Sequence, residues 1–278
     1  MNLVLAIVSQ IAVFIPLSIG VFLNTLVLKI TDLTIDGSFL LGGAAFTLTA
    51  INGFSPFLGI IFAIFAGAAA GLVSSLFQTH KRIDPIIASI LTTFIAHGVF
   101  FFILSGPNVS LYGKPTLFNY SPLLPGWSIA AIVCVMLSIS IKLILSSSFG
   151  LTLKAFGAQE KILHQLGKNT EWYRHLGLAL SNACAGLSGA LTAQQNGYAD
   201  ISMGFGMALI GISSVLIGKQ LWKAVFQSSK NTLLFCYAGS AVYFVFIKFL
   251  LTAGINPLYL KGILGGLIGL LLQFSSRV

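Results

Sequence analysis

The side chains able to do chemistry are few and scattered. The acids are Asp32, Asp36, Asp84, Glu160, Glu171 and Asp200, the histidines His80, His97, His164 and His175, and the cysteines Cys134, Cys184 and Cys236. Neither the GxSxG elbow of a serine hydrolase nor the HExxH helix of a zinc enzyme occurs. The cysteines sit singly in apolar runs, without CxxC spacing or a nearby histidine pair, so they read as small packing residues rather than metal or disulfide partners. His97 is the one histidine within an apolar run, and no acid lies near it in sequence, which favours a hydrogen-bonded packing role. A phosphate loop is missing too. From Gly211, GISSVLIGKQ puts six residues between its glycines where the motif has four, and Gln220 follows Lys219 where Ser or Thr would hold magnesium. The expectation is a chain with no catalytic residue, no metal site and no cofactor of its own, unable to hydrolyse ATP.

The elements that carry these residues are membrane spans. Of 278 residues 56% are hydrophobic and 8% charged, against roughly a quarter charged in soluble domains. Apolar runs of helical span length recur along the chain without the period-two alternation of a β-barrel. The fold class expected is all-α: one transmembrane domain over residues 1–278, a bundle of about 9–10 segments, some short, broken or re-entrant. Span one covers about Asn2 to Leu28, with a tilt or break expected near Pro16; the last two cover about 231–252 and 258–273. The basic residues cluster at 78–84, 147–174, 219–230 and Arg277, whereas 105–126 holds only Lys114. The positive-inside rule makes the first set cytoplasmic. The net charge of +9 therefore reports topology and not nucleic-acid binding, since no dense basic patch with interleaved aromatics exists.

Two short polar clusters precede glycine-rich segments. Asp36 and Ser38 open one, and Gln194, Gln195, Asn196 and Asp200 open the other. These are the candidate substrate-path residues, although an aspartate or serine before a helix can equally be a cap and the outer group can simply sit in interfacial water. Residues 29–53 and 196–219 share an aspartate, a serine two residues on and a glycine-rich continuation, the pattern of paired broken segments in transporters. Glycines and small residues four apart, Gly67 and Gly71, and Ser181, Ala185, Gly189 and Ala193, mark close helix packing. All six acids can be placed at span ends or in loops, which weakens an ion-coupled mechanism.

The longest polar stretch is Phe149 to Arg174, with Lys154, Glu160, Lys161, His164, Lys168, Glu171 and Arg174. Leu153, Phe156, Leu163 and Leu166 recur at helical spacing, so a short amphipathic helix over about 153–168 is expected on the cytoplasmic face. With no ATP site in the chain, such a helix is where a partner could deliver energy. A carrier or channel working without any nucleotide partner is the alternative.

The run LTLKAFGAQEKILHQLGKNTEWYRHLGLALSNACAGLSGAL resembles the cytoplasmic coupling loop and following span of permease subunits of bacterial ABC importers. The closest likeness is to the branched-chain amino acid and ribose permease group, and within it to permeases labelled tryptophan/tyrosine-type. DLTIDGSFLLGGAA from Asp32 and Gly197-Tyr198-Ala199-Asp200 with its continuation are similar to that group as well. The resemblance implies ATPase coupling through Phe156, Gly157, Ala158, Gln159, Glu160, Leu163, Leu166 and Gly167. It implies separate ATP-binding-cassette ATPase subunits that hold the ATP and magnesium, an extracytoplasmic substrate-binding protein, a second copy of the permease, and a multi-pass place in the bacterial inner membrane. The solute implied is small and polar, plausibly an amino acid. The coupling stretch is more lysine-rich, and Glu171-Trp172-Tyr173 bulkier, than is usual in that group.

Overall fold

Where no water is present, a backbone must satisfy its own hydrogen bonds, and these apolar runs do so as helices. The computed structural model describes residues 3–80, 83–120, 126–226 and 233–254, together with Gly262, Gly265 and Gly266. In chain order the elements are α1 (Leu3–Phe22), α2 (Thr34–Ile51), α3 (Pro56–His80), α4 (Pro85–Leu104), β1 (Asn108–Ser110), α5 (Leu117–Tyr120), α6 (Gly126–Ser146), α7 (Ser148–Ala158), α8 (Glu160–Gln165), α9 (Thr170–Asn196), β2 (Tyr198–Asp200), α10 (Met207–Phe226) and α11 (Leu234–Thr252). Among the described residues seven helices are long and apolar enough to cross a membrane: α1 with its continuation, α2, α3, α4, α6, α9 and α11. The expected span over 258–273 lies almost entirely outside the described residues.

α1 does not break at Pro16. It runs on through Phe22 into a π-helical turn, Leu23–Leu28, that ends at Lys29 with φ of 54°. The irregularity thus falls about two turns later than the proline suggested, where Asn24 sits.

α9 is the centre of the bundle, packed on α1, α2 and α3. Its crossings are made of backbone rather than side chains. A Cβ on Gly189 would collide with Phe39 O, one on Gly42 with Gly186 O, and one on Gly67 with Asn182 O. These glycines bring α2, α3 and α9 to within backbone contact, as the four-residue spacing of small residues predicted. Serine hydroxyls tie the same seam to α1: Ser181 donates to Gly20 O (2.8 Å) and Ser188 to Val13 O (2.7 Å). The rising α9 numbers pair with falling α1 numbers, so the two helices run antiparallel.

After α9 the chain forms β2, paired antiparallel with β1 in the register Asn108↔Asp200, Val109↔Ala199 and Ser110↔Tyr198. It then turns back into the bundle. Gly204 lies against Asp36 O, and Met203 against Gly43, before α10 begins at Met207. α10 therefore starts inside the bundle, beside the first turn of α2, and is a broken segment of the kind expected. It packs on α11 through another glycine pair, Gly218 against Phe235 O and Gly239 against Ser214 O.

Candidate functional site

The polar stretch is cytoplasmic in charge and helical, but it is two helices rather than one. α7 is capped by Ser147, whose Oγ accepts from Gly150 N, and stops at Ala158. Gln159 is extended (φ −163°, ψ 94°), and α8 starts afresh at Glu160. The cause of the break is local packing: a Cβ at Gly157 would strike Val27 O, so α7 is pinned to the end of the π turn and the chain has to leave it there. Gly167, at φ of 72°, closes α8, and Asn169 Oδ1 accepts from Trp172 N to open α9.

This hairpin is braced against its own chain. Leu153, Phe156 and Leu163 are buried. The Arg174 guanidinium donates to both Glu160 oxygens at 3.0 and 2.8 Å and lies over the Phe156 ring at 5.7 Å. Phe149 and Tyr173 stack at 5.9 Å. Of the coupling residues inferred by resemblance, Phe156 (4% exposed) and Leu163 (5%) therefore face inward and hold the hairpin in place. A surface partner would instead meet Leu166 (71% exposed) and Ile162 (46%), with Ala158, Gln159 and Gly167 also at the surface. Ile162 is an addition that the wheel could have supplied, since it lies four residues before Leu166. Beside the hairpin is a cavity of about 420 Å³ lined by Lys29, Thr31, Asp84, Gln159, Glu160 and Arg174 among others.

The candidate path residues do not form one site. Asp36 accepts from Gly206 N (3.2 Å) and Ala208 N (2.6 Å), so its carboxylate caps the positive end of α10 inside the bundle. Ser38 donates to Asn182 Oδ1 at 2.7 Å. Gln194 lies twelve residues further along α9, about 18 Å at 1.5 Å per residue. There it is buried, its Oε1 accepting from Leu117 N (2.8 Å), while Gln195 donates to Ser9 Oγ (2.9 Å). Asp200 accepts from Asn108 Nδ2 (3.0 Å), Ser202 N (2.7 Å) and the Ser202 hydroxyl. Those hydrogen bonds, the Ser202 hydroxyl's first, together outweigh the opposing effect of burial and hold its carboxyl below its usual range. Asn196 is exposed. The outer group thus fastens the β1–β2 strand pair and α5 to the bundle.

Asp32 lies in the loop between the π turn and α2, as the placement of the acids at span ends or in loops expected, but that loop is buried. Asp32 is 3% exposed and bonded to Asn182, which lies near the middle of α9. Asn24 of the π turn and Ser74 of α3 reach it as well. The sequence signal was a lone polar residue in each of three apolar runs, but only folding shows that they converge. His97 keeps the packing role expected of it: its Nδ1 bonds Thr93 O at 2.8 Å. The three cysteines are free and buried.

Residues 3–272 match the family of the branched-chain amino acid transport system permease component. The chain belongs to this family of permeases. A relative in Rickettsia prowazekii, an uncharacterised protein, is 40% identical over 99% of this chain and 98% of its own. The tyrosine transport system permease protein of Clostridioides difficile is 30% identical over 94% of this chain and 87% of its own. The fold is shared with an ABC transporter assigned to the metal-chelate type and solved facing inward: the TM-score is 0.53 at 17% identity, over 96% of this chain and 82% of that one. Membership and the seven apolar helices make the chain a multi-pass protein of the inner membrane.

Proposed function

We propose that this permease is the membrane subunit of an ATP-binding-cassette importer for a small polar solute, an amino acid, and that two copies share one pathway. In this reading separate ATPase subunits hold the ATP and magnesium, and dock on the α7–α8 hairpin. An extracytoplasmic binding protein delivers the solute near the β1–β2 strand pair. The observation that carries the reading is the exposed apolar end of α8, Ile162 and Leu166-Gly167, on a hairpin fixed to the spans through Phe156, Leu163 and the Arg174–Glu160 pair. A rigid hairpin transmits a push where a floppy loop would absorb it: movement of α8 is carried through α7 to the end of α1 at Val27, and through Arg174 to α9. The amino-acid assignment is supported by the family description and by the tyrosine permease relative.

The test separates surface from brace. Leu166→Asp should leave thermal stability unchanged yet cut ATPase co-purification and uptake by about 30-fold, the loss of a central interface contact. Phe156→Ala should instead loosen the hairpin and lower thermal stability, because it empties a buried position beneath the Arg174 guanidinium and against the bundle. If association and uptake both survive Leu166→Asp, the coupling role is wrong. The buried Asp32 is the observation that favours a nucleotide-independent carrier; uptake by the purified chain alone in liposomes, driven by an ion gradient, would establish that alternative.

A further inference from the structure

The Asp32 cluster has more oxygen than its hydrogen bonds use. Its carboxylate accepts from Thr34 N (3.0 Å) and Ser74 Oγ (3.5 Å) at Oδ1, and from Asn24 Nδ2 (3.2 Å) and Asn182 Nδ2 (2.9 Å) at Oδ2. Gln78 Nε2 in turn donates to Ser74 Oγ at 3.3 Å. All of these donors are neutral, and the one ion pair among the described residues is Glu160–Arg174, so no side-chain cation among the described residues pairs with Asp32. Three further oxygens in the same group, Asn24 Oδ1, Thr34 Oγ1 and Gln78 Oε1, are buried without a hydrogen-bond partner. Their residues are 1%, 0% and 5% exposed.

Relabelling the amides does not relieve this. Turning Asn24 over would set its oxygen against the Asp32 carboxylate and strand its amino group instead. The two carboxamide oxygens are acceptors only, and they sit beside a carboxylate that is also an acceptor. What the cluster lacks is positive charge. A buried carboxylate without a counter-charge costs several kcal/mol, of which neutral donors offset only part. One monovalent cation answers both needs at once: it neutralises the single carboxylate and takes the idle lone pairs of the amides and hydroxyls. The donors are all hard oxygens, and no group of three or more His, Cys, Asp or Glu stands among the described residues, which speaks against a transition metal or a divalent ion.

The backbone supplies Asp32 with only the partial positive charge at the start of α2, through Thr34 N, and sets a partial negative charge on its other side. Asn24 belongs to the π turn that ends α1, and the carbonyl end of a helix carries partial negative charge. π turns recur at functional sites. The cluster also brings four elements together at one point: the end of α1, the start of α2, α3 and α9.

We propose that Asp32, Asn24, Thr34, Ser74 and Gln78 form a binding site for one alkali-metal cation, which fastens the end of α1 to α2 and α3, with α9 held to the same point by the Asn182–Asp32 hydrogen bond. The proposal is independent of the coupling role, and its test needs no partner protein. The purified permease in lipid nanodiscs is melted in sodium, potassium and choline chloride at equal ionic strength, and binding of radioactive sodium is measured by equilibrium dialysis with potassium as competitor. The expected result is saturable binding of about one ion per chain, with a Tm in sodium or potassium above that in choline that rises with ion concentration as mass action requires. Competition identifies which of the two ions is held more tightly. Asp32→Asn, nearly the same shape without the charge, should lower the apparent affinity by about tenfold or more. If that variant does not fold, Thr34→Val removes a single oxygen and should weaken binding severalfold while leaving choline Tm nearly unchanged. Equal Tm in all three salts together with no saturable isotope binding overturns the proposal and assigns the idle oxygens to ordered water. Binding unaltered in a folded Asp32→Asn or Thr34→Val protein overturns the location.

Discussion

In the α7–α8 hairpin the polar side chains face water, and of the apolar ones Leu153, Phe156 and Leu163 face the bundle while Leu151, Ile162 and Leu166 stay exposed. Around Asp32 the arrangement is inverted. There polar side chains from α1, α2, α3 and α9 face one another, while the opposite faces of α3 and α4 present Phe57, Phe65, Phe94 and Phe102 to the outside. The hairpin follows the rule of soluble proteins, and its contacts can be exchanged one at a time. The interior of the bundle has no water to fall back on, so each polar or backbone group there depends on the neighbour that satisfies it. Local changes should therefore be tolerated in the hairpin and propagate in the bundle.

Two glycines make the sharpest trial of this difference. Gly189 is glycine because Phe39 O occupies the place of a Cβ, and Gly167 is glycine because its φ is 72° with open space around it. Gly189→Leu pushes α2 off α9, and with it the Ser38–Asn182 and Asn182–Asp32 bonds. A loss of about 3 kcal/mol or more is expected, seen as a failure to recover folded protein from membranes. Gly167→Ala strains one residue only and should cost about 1 kcal/mol, with Tm lowered slightly and folded yield retained. Similar losses at the two positions would break the comparison.

The cap of α10 is the next test by size. Asp36 takes two backbone N–H groups, of Gly206 and Ala208, at a helix start enclosed by α2 and the descending 201–206 segment. Asp36→Ala leaves both donors without that acceptor and should cost about 1–2 kcal/mol, measured by thermal unfolding. Asp36→Asn keeps one acceptor oxygen and should fall between. A cost of a few tenths for Asp36→Ala would mean that water already reaches this helix end, which would move Asp36 back toward the solute path.

These cases also explain what could be read from the residues alone. The spans and the packing glycines follow from periodicity and small-residue spacing, both of which are local properties of the chain. The hairpin was visible because its polarity stands out against apolar flanks, yet its inward and outward faces were not. A helical wheel shows that Phe156 and Leu163 share a stripe with Leu166 but not which of them the bundle covers, and the break at Gln159 is set by Val27, more than a hundred residues away in sequence. The Asp32 cluster was the least legible. Asn24, Ser74, Gln78 and Asn182 are scattered polar residues in three separate runs, and although Asp32 does lie in a loop, that loop is buried because the chain re-enters the bundle immediately after Lys29.

The smallest effect is expected at the outer strand pair, where polar groups again meet water. Asp200 links β1 to β2 by accepting from Asn108 and from both Ser202 donors, and its carboxyl titrates below the usual range because those bonds favour the ionised form. A carboxyl whose pKa is lower folded than unfolded adds stability above its unfolded pKa and loses it as pH falls through the folded value. The link is therefore whole at neutral pH and is lost only in acid, below about pH 4. Because Asp200 is largely solvated, global Tm should barely respond, and the local readout is protease cleavage in the 108–112 loop. Cleavage of the wild-type chain should be slow at pH 7 and rise in acid, whereas Asp200→Asn should be cleaved faster at pH 7 and show little further change. A wild-type cleavage rate that does not vary with pH would mean that the β1–β2 backbone ladder holds the strand pair without its carboxylate. The outer face would then join the hairpin of α7 and α8 as a place where single polar contacts are dispensable, leaving the bundle interior as the region where they are not.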